Sequence, residues 1–414
     1  MPRTARTASA GIAVALALGL SACGSSGGDD VAADKKQTIT VWAMGAEGEK
    51  LADVAKVYEK ANPNITIKVT PVGWDVAHQK LVSAAAAGSM PDVAQMGGSY
   101  MGEFSELGVL EPVDTKTFQE KDFFPAGWKQ GEVDGQAYGV PWYVDTRVLY
   151  YRTDLAEKAG ITKAPTTWKE MQDLATAYQK KADTKWGLSI QPSGLDTVQN
   201  FYSFLYSAGG EIVNAKGETV IDSPAAVKAL KEYGSYFSKG LSNKSVQPGY
   251  DVVKDFGNGR VPMFFGGPWH VTLLNEGQPQ LKGKWAVAPV PADESSTSMA
   301  GGSSLVVSKD SEHKAAATRF IKYLTDTKGQ ADWYKRTKDL PANTAAWTSG
   351  DLADDADLQV FKKQMDTAKS SPSLPNWTEV TDKVDQAVAK VTQGKASAED
   401  ALKTAQSQIE GLVK

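Results

Sequence analysis

The N-terminal quarter of the chain alternates between strand and helix patterns, and this alternation restricts the folds open to it. An apolar run at Gln37–Met44 predicts a buried strand, and residues 49–61 repeat apolar side chains at helical spacing. The same pair of patterns returns at residues 65–69 and 75–87, and residues 91–96 predict a third strand. This order is typical of parallel strands joined by crossover helices, in which ligands bind beyond the carboxyl ends of the strands.

Similar signals continue through the rest of the sequence. A long β-rich run at residues 137–151 suits a chain that crosses from one domain into another. A Thr-x-x-Glu capping box opens a helix at residues 167–181, and Ser-Pro opens another at residues 223–239. Further strands are predicted at residues 186–190, 261–265 and 303–308, and further helices at residues 196–207, 311–325, 360–365, 379–393 and 397–412. The fold class is therefore predicted to be α/β.

Length and composition limit the number of domains and the class of ligand. The 414 residues exceed what one hydrophobic core usually organises, so two domains are expected. The formal net charge of −4 lacks the basic excess of nucleic-acid-binding proteins, so no nucleic acid partner is predicted. The three histidines are far apart and the chain has one cysteine, so no metal site, other cofactor or disulfide is predicted. Eleven tryptophans and fourteen tyrosines supply flat amphipathic rings of the kind that a carbohydrate site uses.

The N-terminal residues have the pattern of a bacterial lipoprotein signal peptide. Two arginines precede an apolar run at residues 11–20 that is too short to span a bilayer, and residues 20–23 read Leu-Ser-Ala-Cys. The resemblance to lipoprotein precursors implies removal of residues 1–22, lipidation of the Cys23 thiol and attachment to the outer leaflet of the cytoplasmic membrane. The polar residues 23–36 are expected to form a flexible tether.

A motif near the middle of the chain connects the sequence to a known family. Residues 255–269 read DFGNGRVPMFFGGPW. This segment resembles the extracytoplasmic solute-binding proteins of ABC importers, in the subfamily that binds oligosaccharides, whose members carry F-x-x-G-x-x-P-M followed by G-P-W. Four other stretches resemble the same family in the same order: ITVWAMG at 39–45, AAAAGSMPDVAQM at 84–96, YGVPWYVDTRVLYYRTDLAEKAG at 138–160 and GGSSLVVSKDSEHKAAATRFIKYL at 301–324.

The resemblance implies a two-lobed fold of the periplasmic-binding-protein type, with the ligand in the cleft between two α/β lobes. It places the chain crossings near residues 143–146, 299–302 and 340–342. It implies a first lobe of residues 37–144 and 300–340 and a second lobe of residues 145–299 and 341–414. At the second crossing, Gly302 is expected to provide backbone freedom.

Aromatic and acidic residues near these crossings are candidate ligand contacts. In this family a tryptophan after Gly-Pro commonly stacks on a sugar ring, which nominates Trp269. An acidic residue often follows the Val-Pro motif, which nominates Asp145, although an ion pair with Arg147 is an alternative role for this aspartate. Trp142 and Tyr143 lie beside it, and strand alternation predicts that they face opposite sides, so that one of them belongs to the core.

Five other side chains, together with Gly302 at the second crossing, complete the candidate ligand contacts. Glu47 follows the first strand, and Met96 and Tyr100 lie at and beyond the end of the third. The alternative roles are an exposed loop charge for Glu47 and core packing for Met96. In the second lobe, the resemblance nominates Trp377 as another aromatic platform, with Asn376 beside it.

These features predict a monomeric binding protein without catalytic activity. It is expected to capture an oligosaccharide, with α-linked gluco- or galacto-oligosaccharides as the best match, and to deliver it to ABC permease subunits. The ATPase is expected to be a separate chain, because this sequence has no Walker A motif. Two alternatives remain open: an exported glycoside hydrolase, with Glu47 and Asp145 as paired carboxylates, and the same fold binding a non-sugar solute.

Overall fold

The structure is a computed structural model that describes residues 35–194, 197–214, 216–245, 250–348 and 350–413. The predicted signal peptide, Cys23 and most of the predicted tether lie outside the described residues. The helices of the described part include none that is long and apolar enough to cross a membrane.

Strands and helices alternate along the chain. The strands are β1 Gln37–Met44, β2 Ile65–Val72, β3 Val93–Gly97, β4 Glu132–Val133, β5 Gln136–Ala137, β6 Gly139–Thr146, β7 Val148–Tyr151, β8 Met263–Gly266, β9 Ala286–Ala288, β10 Met299–Val307, β11 Leu340–Pro341 and β12 Lys369–Ser370. The helices are α1 Gly45–Ala61, α2 Trp74–Ala86, α3 Gly98–Glu106, α4 Pro125–Gln130, α5 Thr153–Lys158, α6 Trp168–Lys181, α7 Thr197–Ser207, α8 Pro224–Ser238, α9 Val252–Gly257, α10 Trp269–Gly277, α11 Lys314–Thr325, α12 Thr327–Thr337, α13 Asp351–Asp354, α14 Ala356–Met365, α15 Trp377–Thr392 and α16 Ala398–Ile409.

The larger sheet has the strand order β11-β6-β10-β3-β1-β2, with β12 paired to β10. Strand β1 is parallel to β2 and β3, as the alternating patterns predicted, whereas β10 runs antiparallel to β3 and β6. Helices cover both faces of this sheet. On β1, Ile39 and Val41 join the core that contains residues of α1 and α11, while Met44 packs on the opposite face with residues of α2 and α3.

The smaller sheet has the order β8-β7-β9, and both pairs are antiparallel. Helices α6, α7, α8, α15 and α16 contribute to the aromatic-rich core beside it. The capping box predicted at α6 is present, with the Thr167 hydroxyl accepting from the Glu170 backbone N–H at 3.2 Å and the Glu170 carboxylate accepting from the Thr167 backbone N–H. Pro224 begins α8 after the Ser223 cap, also as predicted.

The strand predicted at residues 186–190 is wrong. Only Ser189 forms a bridge, to Phe264 of β8. The backbone N–H groups of Gly187 and Leu188 donate instead to the Leu241 carbonyl, so this segment satisfies its hydrogen bonds outside a strand ladder.

The three segments at which crossings were predicted lie side by side in the larger sheet. In β10, Ala300, Gly301 and Gly302 pair with residues 144–146 of β6, and Leu340 of β11 pairs with the other edge of β6. Only one residue separates β6 from β7, so the chain passes directly from the larger sheet into the smaller one. The three segments therefore form one strip of paired strands at the point where the chain leaves the larger sheet.

Candidate ligand-binding cleft

Two cavities meet beside these paired strands. The smaller has a volume of about 320 Å³ and is lined by Glu47, Tyr143, Asp145, Trp269 and neighbouring residues. The larger has a volume of about 740 Å³ and extends past Gly301 and Gly302 to α7 and α15. Asp145 lines both cavities. Volumes of this size are typical of small-molecule binding sites.

The first wall of the cleft is built at the carboxyl ends of parallel strands. Glu47 lies in the first turn of α1, directly after β1, and Tyr100 lies in the first turn of α3, directly after β3. Glu47 lines the smaller cavity and Tyr100 lines the larger. Because carboxyl ends of parallel strands meet at one edge of a sheet, two distant sequence segments reach the same cleft.

Two neutral groups donate hydrogen bonds to the Glu47 carboxylate, and a third donates to the Tyr143 hydroxyl beside it. Burial raises the pKa of Glu47, while hydrogen bonds from the Tyr143 hydroxyl and the Trp74 indole oppose that rise. The Gln95 amide in turn donates to the Tyr143 hydroxyl oxygen at 3.3 Å. Gly45 permits this arrangement: its φ is +52°, and a Cβ there would lie 2.8 Å from the Trp74 ring. These contacts hold the carboxylate in one orientation at the cavity wall.

Asp145 and Trp269 share one cationic neighbour. The Arg147 guanidinium donates to Asp145 Oδ1 at 2.7 Å, and its central carbon lies 4.7 Å from the centroid of the Trp269 ring. Trp269 begins α10 and is 42% exposed although it is a large aromatic residue. The alternative ion pair foreseen for Asp145 is therefore present, and the same carboxylate still lines both cavities.

Residues 43–331 match the family described as bacterial extracellular solute-binding proteins. The chain belongs to this family. Its structure is similar to that of the sugar-binding protein MalE from Xanthomonas citri, with a TM-score of 0.86 and 31% identity over 91% of this chain and 97% of that chain. By sequence it is 27% identical to the maltodextrin-binding protein MdxE of Bacillus subtilis, over 96% and 95% of the two chains, and 26% identical to the diacetylchitobiose binding protein DasA of Streptomyces coelicolor, over 95% and 94%.

These similarities confirm the family resemblance and the two-lobed α/β fold. They also show that this solute-binding protein has relatives that bind sugars, and that the family consists of binding proteins and not of enzymes. The prediction that the chain has no catalytic activity is thereby confirmed, and the glycoside hydrolase alternative is removed.

The second wall of the solute-binding protein's cleft comes from α7 and α15. Trp377 begins α15 and lines the larger cavity, although only 3% of it is exposed. Tyr202 of α7 also lines this cavity and stacks on Tyr206, with 5.0 Å between the ring centroids. Asn376 does not line either cavity; its amide donates to the Leu412 carbonyl at 3.2 Å. The candidate pair at the start of α15 is thus reduced to its tryptophan.

Two other candidates belong to the core. Met96 and Trp142 are both 0% exposed and line neither cavity. Met96 packs with residues of α2 and α3, and the Trp142 ring lies 4.6 Å from the ring of Trp333 in α12. Because side chains alternate along β6, Tyr143 points into the cleft where Trp142 cannot. We therefore remove Met96 and Trp142 from the candidate contacts.

Sequence reasoning missed several residues of the cleft. Trp74 is 41% exposed, lines the larger cavity and begins α2 just after β2 ends, so the strand-end rule that found Glu47 could have found it. Asp339 lies between α12 and β11 and lines the smaller cavity. Asp385 of α15 accepts from the Gly194 backbone N–H at 3.0 Å. No sequence pattern distinguishes these two aspartates from surface carboxylates.

The smaller cavity has a marked acidic character. Burial and the nearby Glu47 carboxylate raise the pKa of Asp339 to about 7, although Trp333 Nε1 donates to this carboxylate at 3.0 Å. Burial and the same two carboxylates also raise the pKa of Tyr143 well above its usual range, so the phenol is protonated and can donate. Within the described ranges, no group of three or more His, Cys, Asp or Glu side chains could hold a metal ion.

Proposed function

We propose that this protein is the substrate-binding component of an ABC importer and that it captures an oligosaccharide in its cleft. The observation that carries the proposal is the exposed Trp269 ring beside the Asp145 carboxylate, where the two cavities meet. An aromatic face matches the apolar face of a pyranose. Carboxylates accept hydrogen bonds from the sugar hydroxyls, and amides both donate to them and accept from them.

Further contacts support an oligosaccharide over a single sugar. Trp74 and Tyr100 line one side of the larger cavity, and Tyr202 and Trp377 line it from α7 and α15. We propose these four, with Glu47, Asp145, Tyr143 and Trp269, as the ligand contacts. Relatives bind maltodextrin and diacetylchitobiose. Within this class we propose α-linked gluco- or galacto-oligosaccharides, on the basis of the motifs at 39–45 and 138–160.

Calorimetry on the soluble body, residues 24–414, tests the substrate class. The panel is maltotriose, isomaltotriose, raffinose, cellotriose and diacetylchitobiose, and the expected result is micromolar or tighter binding of one member, about −8 kcal/mol or better. Chromatography of the recovered sugar should show no turnover. Failure of the whole panel, together with binding of a peptide, polyamine, phosphodiester or iron chelate, would replace the sugar by that class.

We also propose that the protein is a monomer anchored by lipid at Cys23 and that it delivers the sugar to permease subunits powered by a separate ATPase. The support is the Leu-Ser-Ala-Cys sequence at residues 20–23 and membership of an extracellular family. In a bacterial host, a Cys23→Ala variant should leave the membrane fraction for the soluble one. A variant that stays in the membrane fraction would contradict the anchor.

A further inference from the structure

The carboxylates of the smaller cavity are unequally neutralised. Asp145 has the Arg147 guanidinium at 2.7 Å. Glu47 and Asp339 have no lysine or arginine within salt-bridge distance in the described part of the chain. Lys338 is the one basic residue among the described residues that line this cavity, and its ammonium lies over the Tyr334 ring, 5.0 Å from the centroid.

Neutral groups satisfy the hydrogen bonds of both carboxylates without cancelling their charge. Glu47 accepts from a phenol and an indole, and Asp339 accepts from the Trp333 indole. Each carboxylate raises the other's free energy, because burial weakens the screening of two like charges. Burial contributes most to the raised pKa of Asp339, and the nearby Glu47 carboxylate adds to it.

The larger cavity adds negative charge. Asp382 and Asp385 line it, and Arg147, already paired with Asp145, is the basic side chain among its described lining residues. The two cavities together present five carboxylates against two basic side chains. A ligand that fills them meets an excess of negative charge at close range.

We propose that this excess selects ligands by charge: the cleft accepts neutral and amine-bearing sugars and rejects sugars that carry a carboxylate or phosphate. Glu47 and Asp339 are the specificity-determining residues. The inference rests on the proposed function, in that the ligand is taken to be a sugar. An ammonium group near Glu47 and Asp339 would replace the missing counter-ion, whereas an anionic group would add a third unpaired charge.

The test uses three end-group derivatives with one carbohydrate skeleton. Maltotriitol is neutral, maltotrionate carries a carboxylate and 1-amino-1-deoxymaltotriitol carries an ammonium; the same set is prepared from cellotriose. Calorimetry at low salt and pH 7.5 should give affinities in the order amine, alditol, aldonate. Each step should be about fivefold or more, as expected for unit charges some 8 Å apart in a partly screened site.

A pair of double variants assigns the effect to the two residues. Glu47→Gln with Asp339→Asn should reduce the spread among the three probes to less than about twofold. The control, Asp53→Asn with Asp173→Asn, removes the same net charge from exposed ion pairs outside the cleft and should keep the full spread. Circular dichroism confirms that each variant is folded before its affinities are compared.

The pH dependence gives an independent readout. The three probes keep their charges between pH 5.5 and 8. Burial and the nearby Arg147 lower the pKa of His270 to about 4, so His270 is neutral throughout this range. The other charged groups around the cavity are Glu47, Asp145, Arg147 and Lys338. Since Asp339 loses its proton near pH 7, discrimination against the aldonate should increase from pH 5.5 to 8 in the wild type, and this increase should be clearly smaller in Asp339→Asn.

The outcomes separate this inference from the proposed function. Equal affinities for the three probes, or tighter binding of the aldonate, would overturn charge selection while sugar binding stands. An unchanged spread in the Glu47→Gln/Asp339→Asn variant would overturn the assignment to these residues. Binding of none of the probes or of their parent sugars would overturn both proposals.

Discussion

At the scale of the residue, the cleft depends on Trp269, a large aromatic side chain that its neighbours keep in place while it stays exposed. Trp269 begins α10 and is 42% exposed, and its ring lies over Gly267, where a Cβ would be 2.1 Å away. Arg147 lies against its face, which keeps the indole in place without burying it. An exposed aromatic ring fixed in this way is ready to stack on a ligand.

Trp269→Ala should weaken binding of the preferred oligosaccharide by about 1–3 kcal/mol, or about 5- to 150-fold in Kd, because stacking area and water exclusion are both lost. The melting temperature should change little, since the side chain is half exposed. Calorimetry and thermal denaturation measure the two effects. The matched control is Trp186→Ala, a partly exposed tryptophan outside both cavities, which should leave affinity unchanged. A large loss of stability with unchanged affinity would make Trp269 a core residue.

Asp339 makes stability depend on pH. Its pKa of about 7 lies above the usual 3.8, so the folded protein binds this proton more tightly than the unfolded chain does. The resulting stabilisation is complete below pH 3.8, the pKa of this carboxyl in the unfolded chain, and is lost as the pH rises through 7. The free energy of unfolding should therefore fall less between pH 5 and pH 8 in Asp339→Asn than in the wild type, as measured by urea denaturation. Asp53→Asn, which removes an exposed carboxylate, should follow the wild type.

At the scale of the element, the strands at the base of the cleft allow very close backbone approach. Gly302 of β10 has φ of +124°, and a Cβ there would lie 2.3 Å from the Tyr143 carbonyl oxygen of β6. A Cβ on the neighbouring Gly301 would lie 2.5 Å from Asp145 Oδ1. The two glycines thus let β10 pair with β6 where Asp145 faces the cavities.

Gly302→Ala should lower the free energy of unfolding by about 2 kcal/mol more than Gly240→Ala does. Both glycines have positive φ, but Gly240 has open space where a Cβ would lie, so the difference isolates the clash with β6. Ligand affinity should also fall in Gly302→Ala but not in Gly240→Ala. The added Cβ at residue 302 must displace β6, and β6 carries Asp145. Equal stability losses in urea denaturation would show that the close approach is unimportant.

At the scale of the whole molecule, we propose that the lobes are residues 37–144 with 300–340 and residues 145–299 with 341–414, and that they close on the ligand. The paired segments at residues 143–146, 299–302 and 340–342 would restrict the motion to bending. A sugar that contacts both walls stabilises the closed state by its higher affinity for that state, and this state would be the one that the permease recognises.

Small-angle scattering should show a smaller radius of gyration for the saturated complex than for the empty protein. Trp269→Ala at the same sugar concentration should retain more of the larger radius, because its binding is weaker. A sugar of the panel that does not bind should leave the radius unchanged and controls for the solvent contrast. The same radius with and without bound ligand would contradict closure.

The sequence by itself determined the family and the alternating elements at the start of the chain. Periodic apolar residues gave β1, α1, β2 and α2 within a few residues, because local hydrophobic spacing reports which face of each element is buried. The motif at 255–269 identified the family before any geometry was known. The strand-end rule likewise brought Glu47 and Tyr100 to the cleft, since parallel strands direct their carboxyl ends to one edge.

Only the tertiary structure decided which side chains face the cleft and what charge they carry. Alternation along β6 required that Trp142 and Tyr143 face opposite sides, but the packing of Trp333 against one of them determined which. Glu47 and Asp339 are almost three hundred positions apart, and folding buries them in one cavity with neutral donors. The pKa of Asp339 depends on this burial and on that neighbour, and neither quantity is encoded in the local sequence around either residue.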